Sequence, residues 1–278
     1  MSKPIKELLE SHGFKFSKSM GQNFLIDANI PEKIVRLSGI EKSNAVLEVG
    51  PGIGALTRYL SASAGKVVAV ELDGKVLPML AVELEGLDNV EVVQGDILKI
   101  DIENLVNEKM QGFTPCVCAN LPYNITSPAV TKLIDSGAFD FVTVMVQREV
   151  ARRMCAKPGS SDYSAFTVYI NYHTHPDILF DVPPECFMPR PKVHSAVVKM
   201  NIRKERLLSH EDEKRFFKVV RGAFGQRRKT LVNALYGAFG ATMQKEEIAE
   251  IVTGLGLGSH VRGETLGIDE FIKLSQRF

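Results

Sequence analysis

An α/β fold, built on a parallel sheet with helices on both faces and followed by a small all-helical domain, is what this sequence predicts. Three observations predict it. Short apolar runs alternate with amphipathic stretches from about residue 45 to about residue 198, the pattern of strands separated by crossover helices. The first of these runs leads straight into a glycine-rich turn, Gly50-Pro51-Gly52-Ile53-Gly54, where missing side chains let the backbone turn tightly and a ligand approach closely. Beyond Arg203 the chain reads as helices only.

The elements follow in order. Strands are expected over 45–49, 67–71, 90–94, 116–119 and 141–146, with helices between them over 55–63, 74–85 and 128–136. The pattern changes after about Asp181. A proline-rich stretch, 182–191, leads into an alternating run over 193–202. Ser209 followed by Glu211, Asp212 and Glu213 marks a helix start, because acids in the first turn suit the positive end of the helix dipole. Further helical patterns cover 227–236, 244–255 and 268–277. The expected division is residues 1–204 for the sheet domain and 205–278 for the helical one.

Composition bounds the function. Hydrophobic residues make up 45% of the 278 positions and charged residues 24%, enough to bury a core and keep a polar surface. Lys and Arg total 34 against 33 Asp and Glu, so any basic surface must be local. The four cysteines form no C-x-x-C pair and no zinc-ligand spacing, so reduced core thiols and no metal are expected; Cys116 and Cys118 should share one side of a strand. Residues 1–24 contain no apolar h-region, and no apolar run approaches the roughly 18 residues of a membrane span. A cytoplasmic protein with no membrane association is expected.

Three strand tips outline a slot at the carboxyl ends of the sheet, where such sheets bind ligands. The first is the glycine turn, written G-x-G-x-G. Glu71 ends the second strand, where a carboxylate can accept hydrogen bonds from both hydroxyls of a ribose. Gly95-Asp96-Ile97 follows the third strand, where an acid can accept a hydrogen bond from an adenine amine. Each is also an ordinary loop feature, and nicotinamide and S-adenosylmethionine sites share the first two. After the fourth strand comes Asn120-Leu121-Pro122-Tyr123. By itself this is a plausible β-turn. Behind a cofactor slot it suits methyl transfer to an exocyclic amine, whose lone pair is delocalised into the ring. Acceptors at Asn120 Oδ1 and the Leu121 carbonyl can draw such a nitrogen toward tetrahedral geometry. Pro122 stiffens the turn, Tyr123 can stack on the extruded base, and positioning supplies most of the rate.

At these residues the sequence resembles the ribosomal RNA adenine dimethyltransferases, from about Phe16 to the C-terminus. Lys18-Ser19-Met20-Gly21-Gln22-Asn23-Phe24-Leu25 resembles the family's N-terminal cofactor motif. The glycine turn with Glu48, then Glu71, Asp96 and Asn120–Tyr123, falls on its later motifs. Met145-Val146-Gln147-Arg148-Glu149-Val150-Ala151 and Phe187-Met188-Pro189-Arg190-Pro191-Lys192-Val193 resemble further signatures. The resemblance implies a Rossmann-like class I S-adenosylmethionine-dependent methyltransferase sheet of seven strands, one reversed over 193–202, and a helical rRNA-binding domain.

It also implies S-adenosyl-L-methionine as cofactor, contacted by Asn23, Leu25, Gly50, Gly52, Glu71, Leu72, Asp96, Ile97 and Asn120. Asn120, Leu121, Pro122 and Tyr123 would hold the target base, and Phe187 would close its other face. The implied substrate is 16S rRNA in the small ribosomal subunit or its precursor, dimethylated on the N6 amines of two adjacent adenines in the 3′-terminal hairpin. Leucine stands where many DNA adenine methyltransferases have a second proline, and Leu121 is expected to leave room for a base that already carries one methyl.

RNA contacts are expected from local clusters of cations: Arg148 and Arg152, Arg190 and Lys192, then Arg221, Arg227, Arg228 and Lys229. Phosphate contacts of this kind dominate affinity, and three adjacent cations at 227–229 resist burial unless they meet anions. A monomer is expected. The rivals are a nicotinamide oxidoreductase, a non-enzymatic rRNA-binding assembly factor, and a methyltransferase of large-subunit rRNA. Phe187–Val193 leans toward the small subunit.

Overall fold

The computed structural model describes residues 23–278. Lys18–Gln22, the first part of the N-terminal motif, lie outside the described residues. The chain forms two compact units. One holds residues 23–151 together with Asp177–Ile202, and the other Arg152–Pro176 with Arg203–Phe278.

The first unit carries the sheet. Its strands are β1 (Phe24–Leu25), β2 (Asn44–Val49), β3 (Lys66–Glu71), β4 (Val90–Gln94), β5 (Thr114–Asn120), β6 (Phe141–Gln147), β7 (Thr174–Val182), β8 (Phe187–Met188) and β9 (Ser195–Ile202). Among the described residues seven of them join in the order β4-β3-β2-β5-β6-β9-β7, and β1 pairs with β8 in a separate two-stranded ribbon. The pairs within β4-β3-β2-β5-β6 are parallel, while β9 runs antiparallel to β6. This is the expected sheet with one reversed strand, which begins at Ser195 rather than at residue 193.

The strands were readable because burial on both faces demands continuous apolar runs. Every residue of β2 is buried. Helices α1 (Asn29–Ser38), α2 (Thr57–Ser63), α3 (Leu77–Glu83), α4 (Ile102–Lys109) and α5 (Thr126–Asp135) flank the sheet. Ile34, Leu60, Val67, Cys116, Cys118 and Met145 meet in one apolar cluster. Burial pushes the Cys116 thiol up to about 12 and the Cys118 thiol well above its ordinary value, so both are neutral packing groups. β7 escaped the periodicity reading. It holds the edge of the sheet, where a proline such as Pro176 is tolerated and half-burial blurs the pattern.

The helical unit is built on aromatic side chains. α7 (Ala165–His173), α8 (His210–Gly225), α9 (Leu231–Phe239), α10 (Lys245–Gly254) and α11 (Ile268–Ser275) surround Tyr172, Phe216, Phe239 and Phe271; α6 (Arg148–Met154) spans the point where the chain first leaves the sheet unit. Ser209 caps α8 by accepting from the Asp212 amide at 3.3 Å, as expected. α9 starts at Leu231 rather than at residue 227, because Thr230 caps it by accepting from the Asn233 amide. A single boundary after residue 204 leaves out residues 152–176, which belong with the helical unit. Their apolar face, Tyr163, Val168 and Tyr172, is part of the helical core, and Tyr163 donates to the Leu266 carbonyl at 2.8 Å.

Candidate active site at the carboxyl ends of the strands

One cleft of about 1030 Å³, including its open mouth, gathers most of the expected site residues. Its walls include Asn23, Leu25, Gly50, Gly52, Glu71, Leu72, Asp96, Ile97 and Asn120–Tyr123. The parallel strands explain the gathering. β2, β3, β4 and β5 all end on one side of the sheet, and the residues that follow each strand face the same space.

The floor is the glycine turn. Gly50 and Gly52 take φ values of +68° and +58°, which side chains disfavour. The Gly50 amide donates to the Val70 carbonyl at 2.9 Å, tying the turn to β3. A Cβ on Gly52 would lie 2.8 Å from the Phe24 ring. Phe24 is therefore a wall residue that sequence reasoning passed over between Asn23 and Leu25; its ring packs with Ile53, Val76 and Met79 over the turn.

Glu71 is held firmly. Its Oε2 accepts from the Gly52 amide at 3.2 Å and its Oε1 from the Asp73 amide at 2.8 Å. Burial raises its pKa above the ordinary carboxylate value, and the two amides pull it back. Each oxygen keeps a further lone pair for a hydroxyl donor. Asp96 Oδ1 accepts from the Leu98 amide at 2.9 Å, and Lys99 stands 3.8 Å from Oδ2. Ile97 is buried beside it, while Leu72 is 52% exposed on the rim and offers an apolar face to a flat ring.

At the other end of the cleft, the Asn120 Nδ2 donates to the Asn23 carbonyl at 3.1 Å. That bond commits the amino half of the side chain and leaves the oxygen half as an acceptor. Leu121 is buried and donates its amide to the Met145 carbonyl at 3.2 Å. The Pro122 carbonyl accepts from Ile125, closing the turn into α5. Tyr123 is half-buried, and its hydroxyl lies 2.6 Å from Ser195 Oγ. Burial raises the phenol pKa, so it stays protonated at neutral pH.

Glu48, placed beside the glycine turn by the resemblance but given no role there, is the residue whose state the sequence did not reveal. It lines the cleft beneath the glycine turn, 2% exposed, and its Oε2 has no hydrogen-bond partner. The Thr57 hydroxyl, also unpartnered, is the polar group that most favours its charged form, without reaching hydrogen-bond geometry. Burial dominates and pushes the carboxyl up to about 8, so at neutral pH Glu48 is mostly a neutral acid. A glutamate inside an apolar strand was the available signal.

Phe187 is not on the cleft wall. It pairs with Leu25 across the β1–β8 ribbon and is buried with Leu25, Met145 and Val197, because an apolar ring gains more from that cluster than from an open cleft. The basic residues divide. Arg148 faces Asp181 at 3.8 Å, and Arg190 is paired with Glu185. Arg152, Lys192, Arg221, Arg228 and Lys229 are exposed. Arg227 is a staple: Nη2 donates to the carbonyls of Ser161 and Tyr163, both at 3.0 Å, and stands 3.5 Å from Glu264. Of the three cations expected to meet phosphate at 227–229, Arg227 thus already has a carboxylate of its own unit beside it. Among the described residues, no group of three or more His, Cys, Asp or Glu side chains is placed to hold a metal ion, and no helix is long and apolar enough to cross a membrane.

Comparison with known proteins agrees with this geometry. The family model described as "Ribosomal RNA adenine dimethylase" matches residues 13–272. A ribosomal RNA small subunit methyltransferase A from Lachnoclostridium phytofermentans is 45% identical over 97% of this chain and 93% of its own. Its counterpart from Clostridioides difficile is also 45% identical, with the same coverage. Among solved structures, a dimethyladenosine transferase from Plasmodium falciparum superposes with a TM-score of 0.75 at 28% identity, covering 90% of this chain and 95% of that one. The 23S rRNA methyltransferase ErmE gives 0.73 at 25% identity, covering 91% and 98%. A match over nearly the whole length, on the fold and motifs described above, means that the chain belongs to the ribosomal RNA adenine dimethylase family.

Proposed function

We propose that this protein transfers methyl groups from S-adenosyl-L-methionine to the N6 amines of two adjacent adenines in the 3′-terminal hairpin of 16S rRNA, within the small subunit or its precursor. One observation carries the reading: the Asn120–Tyr123 turn and the Gly50–Gly52, Glu71 and Asp96 tips line a single cleft. The relatives that share 45% of its residues are small-subunit enzymes by name.

The cleft fits the donor. The residues that line it suit each part of an adenosine with an amino-acid arm. Glu71 and Asp96 stand at neighbouring strand tips, as ribose hydroxyls and an adenine amine demand, and Leu72 and Ile97 supply apolar faces. Gly50 and Gly52 leave the floor bare for the arm, with Asn23 and Leu25 along the wall. When bound there, S-adenosyl-L-methionine supplies an electrophilic methyl group.

The chain's own residues do the rest. Asn120, its amino half tied to Asn23, presents Oδ1 to the N–H of an incoming amine, and the Leu121 carbonyl offers a second acceptor. Two acceptors localise the nitrogen lone pair, and the released proton passes to solvent. Tyr123 stacks on the base, and Pro122 holds the turn. Phe187 acts from behind, supporting Leu25. The helical unit serves as the rRNA-binding part, with Arg152, Arg221, Arg228 and Lys229 on its surface and Arg148, Arg190 and Lys192 on the sheet unit. The protein acts in the cytoplasm, as a monomer.

The test is radiolabelled methyl transfer onto unmethylated 30S particles, followed by nucleoside analysis. N6,N6-dimethyladenine in the small-subunit RNA is the expected product. Label appearing only in 23S RNA, or in no RNA while donor binds, would overturn the reading.

A further inference from the structure

We propose that Ser195 is a positioning residue for the target base: it holds the Tyr123 ring at the angle the extruded adenine stacks upon. This rests on the function proposed above and adds to it a residue outside the strand-tip motifs.

The placement follows from the reversed strand. β9 is antiparallel to β6, so its first residue lies at the carboxyl end of the sheet, beside the cleft, where Ser195 faces Gln147, the last residue of β6. The Arg148 amide donates to the His194 carbonyl at 2.9 Å, which fixes the corner where the chain enters β9. Ser195 is fully buried there, and its Oγ lies 2.6 Å from the Tyr123 hydroxyl.

Stacking needs only the face of an aromatic ring, which phenylalanine would supply as well. The Tyr123 hydroxyl therefore serves something else, and its hydrogen bond is to Ser195. A ring on a short turn swings about two side-chain torsions. A bond at its far end to a buried strand residue removes that freedom before the base arrives, so less ordering is left to the reaction step. The residues that precede Ser195, from Arg190 to His194, include exposed Arg190, Lys192, Val193 and His194. RNA lying on that segment would press on the strand that holds the ring.

A double-variant cycle tests this, using Ser195→Ala, Tyr123→Phe and both together in the full-length protein. The substrate is unmethylated 30S particles. Each single variant should lower kcat about three- to tenfold, the worth of one hydrogen bond between neutral groups. Donor affinity measured by calorimetry should stay within twofold of wild type. The double variant should be no slower than either single one, because both remove the same bond. The fluorescence of a 2-aminopurine in place of the target adenine, quenched on stacking, should be less quenched in all three variants to the same degree. Ser195→Ala with wild-type kcat, or a double variant slowed by the product of the two single effects, would overturn the proposal. Wild-type protein that binds donor and methylates no adenine would instead overturn the underlying function.

Discussion

The cleft corner of the sheet unit and the surface of the helical unit use polar groups in opposite ways. In the corner a few polar side chains sit partly or wholly out of water, and three of them are held by named bonds: Glu71 by two backbone amides, Asn120 by the Asn23 carbonyl, Tyr123 by Ser195. On the helical unit many charges are exposed, and several are answered by acids of the same unit, as in Arg215 with Asp212 and Arg262 with Glu264. The first arrangement concentrates function on single atoms. The second spreads it over a field, where each charge is screened and worth little alone. Substitutions should therefore be costly in the corner and cheap on the helices.

The largest effect is expected at Asn120. Asn120→Ala removes an acceptor whose orientation is prepaid by its bond to Asn23. Loss of one such preorganised group costs about 10²–10³ in kcat, while donor affinity should change much less. Single-turnover methyl transfer and donor calorimetry separate the two quantities. A loss of affinity as large as the loss of rate would break the view that this half of the corner acts on the base.

Glu71→Ala comes next and should show the reverse split. The carboxylate is one anchor for the donor, and a charge-assisted hydrogen bond is worth about 1.5–3 kcal/mol, so Kd should rise roughly 10- to 100-fold. At saturating donor, kcat should recover most of its wild-type value. A kcat that stays low at saturation would mean that Glu71 shapes the reacting geometry too.

Glu48 sharpens the comparison through pH. Burial raises its pKa from 4.5 to about 8, so the folded state favours the protonated form. That contribution to stability is complete below 4.5 and is lost as pH rises through about 8, at a rate approaching 1.4 kcal/mol per pH unit between the two values. Glu48→Gln keeps the shape and removes the titration. Wild type should thus lose thermal stability relative to Glu48→Gln between pH 5.5 and pH 8. The raised Glu71 is present in both proteins and leaves the difference largely to Glu48. Parallel Tm profiles would show that Glu48 is ionised in the folded protein.

The same contrast explains what the sequence could and could not reveal. β2, β3, β5 and β6 were legible because strands buried on both faces must be mostly apolar, and the tips of a parallel sheet converge whatever the loops do. The glycine turn, Glu71, Asp96 and Asn120–Tyr123 could therefore be placed in one cleft from spacing alone. Ser195 could not, because its meeting with Tyr123 depends on which neighbour the reversed strand chooses. Residues 152–176 escaped for a similar reason. Tyr163 meets Leu266 across 103 positions, and no local pattern encodes that contact. Glu48 stood out only as a glutamate in an apolar strand, with no sign that its carboxyl would be buried without a partner, and Phe187 looked like a base-facing ring until β1 paired with β8.

The smallest effects belong to adjacent arginines that the sequence treats alike. Both are exposed, but Arg227 donates to the Ser161 and Tyr163 carbonyls and faces Glu264. Arg227→Ala should lower stability by about 1–2 kcal/mol, since two carbonyls lose a charged donor. Its effect on RNA should follow from that loss. Arg228→Ala should leave Tm unchanged and weaken binding to small-subunit RNA only a few-fold. The decisive readout is salt dependence: each phosphate contact contributes about 0.7–0.9 to the slope of log K against log salt, so the Arg228 variant should lose about one contact's worth and the Arg227 variant none. If the two variants lost equal slope with equal Tm, the helical surface would be reading RNA through fixed residues, as the corner reads its ligands, and the distinction between the two regions would fall.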